Sequence, residues 1–496
     1  MTLYYKFALI AFSFIFVLQN ITAQDISLIH TSFIQAQNDE ERYYSLYNVY
    51  LTAIEKGVNI DYSGIKDIYL SIPPNATPIP LTSFNDFRGV VFHVYNNSID
   101  NFPLFIKQNP VKIKDNISGG RFHEVLKDIQ SDKNLVIVSD KTPWIYNRRG
   151  FNYSEIRKDI FLSNNKRIRG APIATYDFSN AELCLSKIDN GTTVKNIRFE
   201  RDSLSTQKTL LMHIENIYNL RVENIEVVTP DNEKLYEDAI ITIRNGVKVL
   251  LNNINVRGTY SFVEKYGYAF SLNNIRDLIV NRVNASGRWG VFCCYNINGA
   301  VVKNSVINRF DLHCYGRDFK FVNCTFTKTG LPLSSMYGFV EFKKCTFQEA
   351  ISIIYRADYN AYTPFDLQYV RCEFILSPHR NYMIDLVSIP VQENDRKELR
   401  ERNLPNIVVK KCSYHFASPI SNFYIIKGDV GHNCVFGNIK NISLDNLVFD
   451  NLGDLNLYLS ENKLKTQYRI KVRNNNLIVD NHMGYLRVMS NMDMIK

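Results

Sequence analysis

Five short segments in the middle of the chain can be laid over one another, and few folds tolerate that register. They are 211–216 (LMHIEN), 240–245 (IITIRN), 269–274 (AFSLNN), 291–296 (VFCCYN) and 311–316 (DLHCYG), with ends 29, 29, 22 and 20 residues apart. Each closes on Asn or Gly, residues that accept the left-handed backbone of a tight turn. The second and fourth positions are apolar. Period-two alternation therefore turns Met212 and Ile214, Ile241 and Ile243, Phe270 and Leu272, Phe292 and Cys294, and Leu312 and Cys314 inward. Seven or eight residues after each turn a second Asn recurs, at Asn224, Asn253, Asn281, Asn304 and Asn323. An Asn at one bend of successive coils can form a ladder of side-chain amide hydrogen bonds. Coils of 20 to 29 residues, with short strands and no helical period between them, describe a β-solenoid. A leucine-rich repeat has a similar period, but its Leu-x-x-Leu-x-Leu pattern is missing.

The flanks carry different patterns. Lys6, the apolar run from Phe7 to Leu18 and the small pair Thr22-Ala23 read as a signal peptide over 1–23. That run is too short for a stable membrane span, which needs about 20 apolar residues. Asn38 and Glu41 have capping-box spacing, Tyr43, Leu46, Tyr47, Tyr50 and Ile54 share one helical face, and Gly57 ends the pattern. Residues 24–57 are thus expected to hold a helix that caps the open end of the strand stack. Irregular coils with loops follow over 58–180, regular coils over 181–456, and further strands with a C-terminal cap over 457–496. Four of the nine cysteines, Cys324, Cys345, Cys372 and Cys412, recur in one local pattern before Phe326, Phe347, Phe374 and Tyr414. Recurrence at one repeat position predicts a buried packing column rather than disulfides. No cysteine pair has zinc-site spacing, and neither a metal nor a cofactor is expected.

This repeat resembles the pectate-lyase-like superfamily, especially its exported bacterial polysaccharide-active members, over roughly residues 58 to 456. The resemblance implies an all-β chain: a single-stranded right-handed parallel β-helix with an N-terminal capping helix. It also implies a polysaccharide partner, and it leaves a homo-oligomer open. The formal net charge of +9 suits an acidic glycan. Export argues against nucleic acid.

Stacked coils set equivalent positions about 4.8 Å apart. The outward third positions then form a column, His213, Thr242, Ser271, Cys293 and His313, beside a second one, Glu215, Arg244, Asn273, Tyr295 and Tyr315. The richest stretch runs from Arg309 to Arg317, where alternation sends Asp311, His313 and Tyr315 outward; Arg288 and Trp289 precede the strand one coil earlier. Such a set suits β-elimination on a uronic acid polymer, which needs a cation at the carboxylate, a base and an acid. Arg309 or Arg288 would neutralise, His313 would be the base, Tyr315 the acid, and Asp311 would orient His313. Tyr295, Trp289, Arg317, Arg244, Asn273 and Glu215 would bind the polymer. The acidic cluster and Arg-x-Pro-x-x-Arg stretch of calcium-dependent pectate lyases are absent, and Gly431-His432-Asn433 and Arg469-Ile470-Lys471 only echo polygalacturonase motifs. A glycoside hydrolase using two of Glu215, Asp238 and Asp311, or a non-catalytic glycan-holding protein, are the alternatives.

Overall fold

The computed structural model describes residues 26–27, 36–117, 134–145, 155–164, 167–169, 172–173, 181–229, 239–257, 268–285, 290–327, 330–333, 336–355, 365–387, 402–404, 406–428, 436–439, 441–445, 447–460, 469–473, 477–480 and 485–488. The expected signal peptide lies outside them. Among the described residues no helix is long and apolar enough to cross a membrane.

The helix spans Asp39–Lys56 and starts where the sequence signals it: Asn38 Oδ1 accepts from the Glu41 N–H at 2.9 Å, and the Glu41 carboxylate reaches back to the Gln37 N–H at 2.8 Å. Gly57 closes it at φ 66°, a left-handed conformation that costs a residue with a Cβ about 1–2 kcal/mol. Tyr43, Leu46, Val49, Tyr50 and Ala53 are buried against Ile68, Leu70, Phe102 and Phe105 of the first coils. Ile54 and Tyr47, expected on that face, are exposed and half-buried. The helix therefore covers the apolar end of the stack, with its stripe rotated slightly from the expected one.

Beyond it the chain climbs in parallel coils. Asp67–Ile72 pairs with Phe84–Asn96, which pairs with Thr192–Arg201, and then in turn Thr209–Val228, Ile241–Arg257, Tyr268–Asn284, Gly290–Lys303, Phe310–Val322, Met336–Lys343, Phe365–Val370, Asn406–Lys410, Asn441–Asp445 and Arg469–Arg473. The last strands turn antiparallel, with Tyr485–Val488 set against Leu477–Asp480 and Val448–Ser460.

Three left-handed residues bend each central coil: Asn216, Asn219 and Asn224, then Asn245, Lys248 and Asn253. Both rows of asparagines form ladders. Asn245 donates to Asn216 and Asn274 to Asn245, each at 2.9 Å. Asn224 donates to Asn196 and Asn253 to Asn224, also at 2.9 Å. At the next coil the second ladder steps sideways. Arg282 takes the left-handed bend, and Asn281 reaches Asn252 rather than Asn253. Higher up, Cys324, Cys345, Cys372 and Cys412 form the expected buried column of free thiols, each following a left-handed residue.

Two expectations need correction. The fifth aligned segment is out of register: Phe310 pairs with Phe292, Asp311 with Cys293, Leu312 with Cys294, and a bulge at His313 then sets Cys314 opposite Tyr295 and Gly316 opposite Ile297. Phe270, Phe292 and Phe310 stack inside with centroids 4.8 Å apart at each step. Burying Phe310 stabilises this register by about 1.5–3 kcal/mol over one that leaves it outside. A matching turn residue could not compete, and the bulge absorbs the extra residue.

The second correction concerns the stretch before 181. Coils run only to the strand Phe102–Gln108. From Val111 to Lys187 the chain forms an antiparallel sheet in the order Arg167–Arg169, Glu155–Asn164, Asn134–Ile145, Ala181–Lys187, Val111–Ile117, inserted between two coils.

Candidate functional site

Alternation on the first strand of each coil builds a polar strip. Gln108, Glu215, Arg244, Asn273 and Tyr295 stand in register, and Ile106, His213, Thr242, Ser271, Cys293 and Asp311 form the parallel column. Arg244 is exposed; His213, Glu215, Ser271, Asn273 and Tyr295 are half-buried; Thr242 is buried. Four expected binding residues, Glu215, Arg244, Asn273 and Tyr295, are thus brought into one line.

The inserted sheet lies beside that line. On the adjoining face Tyr218, Val247, Arg276, Asn298 and Arg317 stack in register, and Leu135, Ile137 and Ile160 of the insert pack on Val247. Arg276 bonds Asp159 of the insert at 2.8 Å, with side chains 7% and 1% exposed, and its guanidinium lies 4.5 Å over the Phe161 ring. The Ile160 and Ile173 amides also donate to Asp159, at 2.9 and 2.7 Å. The Lys158 N–H donates to Asn296 Oδ1 at 3.2 Å, one residue past Tyr295. A buried ion pair is worth its desolvation only when its partners are this complete, and breaking it costs about 3–5 kcal/mol. The insert is therefore fixed as a wall along the strip.

At the Gln108 end of the strip, His213 Nε2 stands 3.6 Å from Glu215 Oε2, and Gln108 Nε2 donates to the same oxygen at 3.3 Å. His213 chiefly, then Arg244 and Lys158, hold the Glu215 carboxyl below the usual carboxylate range against the opposing effect of burial. The other end is different. Asp311 is fully buried, takes a hydrogen bond from the Tyr268 hydroxyl, and is bound by Arg309 Nε at 2.5 Å.

That geometry overturns several site expectations. Asp311 does not face solvent beside His313; it is paired with Arg309 and Tyr268. Arg309 is engaged in neutralising Asp311, so it does not present a bare cation to a polymer. Arg317 sits on the face under the insert, donating to Pro172 O at 3.2 Å, and is not on the strip. His313 falls on the bulge, so the His213 column ends in Asp311, and Cys314 rather than Tyr315 continues the Tyr295 column. The side chains of His313 and Tyr315, and all of Asp238, Arg288 and Trp289, lie outside the described residues. Lys158 and Asp159 were missed by the sequence reading, because only the insert's docking gives them a role. Glu215 is a binding residue and a hydrolytic candidate in the sequence, whereas His213, two positions before it in the outward column, carries no role there.

No family model and no curated protein matches the chain. Among solved structures it is similar to the tailspike protein gp49 of Pseudomonas phage LKA1, at 12% identity and TM-score 0.53, over 83% of this chain and 74% of that one. The chain shares the fold of that protein. The tailspike gp61 of Pseudomonas phage phi297 shows the same at 13% identity and TM-score 0.50, over 86% and 77% of the two chains. The gp54 tailspike of the Acinetobacter baumannii bacteriophage AP22, solved with a capsular saccharide, aligns at 11% identity and TM-score 0.46, over 92% and 80%.

Proposed function

We propose that this is an exported, polysaccharide-active protein, built as a right-handed parallel β-helix, that binds an acidic glycan along its strip and cleaves it by β-elimination. One observation carries the reading: Gln108, Glu215, Arg244, Asn273 and Tyr295 form a straight in-register line of hydrogen-bonding and aromatic groups beside a raised, firmly docked sheet. Such a line, walled on one side, suits an extended polymer. Separation disfavours Glu215 with Asp311 as a hydrolytic pair, whereas Asp238, at the start of the coil next to Glu215, lies outside the described residues and keeps hydrolysis as the alternative. Glu215 and Asp311 stand four coil steps apart, about 19 Å at the spacing of parallel strands. A hydrolytic pair needs about 5–9.5 Å. The positive net charge of +9 favours an acidic polymer.

Incubation of the purified protein with acidic polysaccharides decides the matter. Elimination generates unsaturated-uronate absorbance. New reducing ends without it mean a hydrolase, and binding without products means a scaffold that holds glycan.

A further inference from the structure

We infer that the reacting centre lies at the first coil of the strip, beside Gln108, with His213 as the base and Glu215 as its positioning residue. This rests on the elimination reading above. His213 and Glu215 project from one strand at i and i+2, and Nε2 faces the carboxylate at 3.6 Å. Closing this gap by about half an ångström to hydrogen-bond distance would hold the ring proton toward the carboxylate and turn the lone pair of the other nitrogen outward as a base. Gln108 donates to the same carboxylate oxygen, so Glu215 is held from its other side as well. Arg244, one coil on and exposed, presents a guanidinium matched to a planar carboxylate. Lys158 adds its charge from the wall and, with Arg244 and His213, keeps Glu215 ionised. At the opposite end of the strip Arg309 is already bound to the buried Asp311.

The chemistry closes without a co-reactant. Arg244 neutralises the uronate carboxylate, which acidifies the neighbouring C5–H. His213 takes that proton through its free nitrogen, the C–H electron pair becomes the C4–C5 double bond, and the C4–O bond breaks. The protonated imidazole then returns its proton to the departing oxygen, regenerating neutral His213.

The test uses the full chain with polygalacturonate, alginate and a glycosaminoglycan, following unsaturated product and polymer binding. His213→Ala and His213→Gln should each lower turnover by about 100-fold or more while binding persists and the circular dichroism spectrum is unchanged. Glu215→Gln should displace the acid limb of the pH–rate profile, and Glu215→Asp should recover part of the rate. Arg244→Ala should raise KM for the acidic polymer. The inference is overturned if both His213 variants turn over at the wild-type rate while His313→Ala is inactive; the elimination reading would then stand with its centre elsewhere. Wild-type protein that yields saturated products, or none from any of the three polymers, overturns the elimination reading itself and this assignment with it.

Discussion

Asp311 shows how burial redirects a residue that the sequence presents as catalytic. A carboxylate with no exposure must be paired, and Tyr268 and Arg309 supply the partners. Asp311→Ala removes the buried carboxylate that Arg309 and Tyr268 bind, and should destabilise the fold by about 3 kcal/mol. Tyr268→Phe, which removes one hydrogen bond, should cost about 1–2 kcal/mol. Urea unfolding of the two variants checks the order. Equal losses would mean that the Tyr268 hydroxyl is as important as the ion pair. Glu215 makes a second prediction at this scale. Its carboxyl is held low in the folded protein, first by His213, so its contribution to stability is present above the unfolded carboxylate pKa of about 4.3. That contribution is lost as pH falls through the depressed folded value. Glu215→Gln should therefore flatten the acid side of the stability–pH curve and leave the neutral side parallel to wild type. A variant as acid-sensitive as wild type would contradict this.

Within a coil, the asparagine ladders separate two effects that usually travel together. Asn245 is left-handed at φ 54°, donates to Asn216 and accepts from Asn274. Asn245→Gly keeps the backbone freedom and loses the two amide bonds; Asn245→Ala loses both. The alanine variant should be the less stable by about 1–2 kcal/mol, the cost of a left-handed Cβ. Thermal unfolding of the pair measures this directly, and indistinguishable midpoints would mean the bend relaxes at no cost. The cysteine column makes a chemical prediction. Cys324, Cys345, Cys372 and Cys412 are buried free thiols, so a thiol reagent should leave them unmodified in native protein and label all four in denaturant. Rapid native labelling of any of them would show that this part of the stack opens readily.

For the whole molecule, the inserted sheet is the part whose stability can be separated from the coils. Among the described residues its attachment is centred on the buried ion pair of Arg276 with Asp159, supported by the apolar contact around Val247 and the bonds of Lys158 to Asn296 and Arg317 to Pro172. Arg276→Met strands a buried carboxylate and should weaken docking by about 3–5 kcal/mol. Limited proteolysis should then cut within 111–187 at protease levels that spare the wild type, while the coils stay resistant. Simultaneous loss of both regions would show that insert and stack unfold as one unit.

Sequence alone settled what repetition can encode. Turn residues, inward alternation and recurring asparagines and cysteines each state a local backbone or burial preference, and stacking repeats that preference from coil to coil; the helix caps were equally local. The register of the fifth segment was not local. Its Asn-or-Gly ending matched a turn, yet the stacking of Phe310 under Phe292 outweighed it and placed a bulge at His313. The strip was legible in Glu215, Arg244, Asn273 and Tyr295, because one period sets all four in register. Only the tertiary structure could decide that Asp311 is covered, that Arg317 lies under the insert, and that the charge of Lys158 acts on Glu215. Those outcomes depend on contacts between residues more than 40 positions apart, and in two cases more than 50, which no local pattern records.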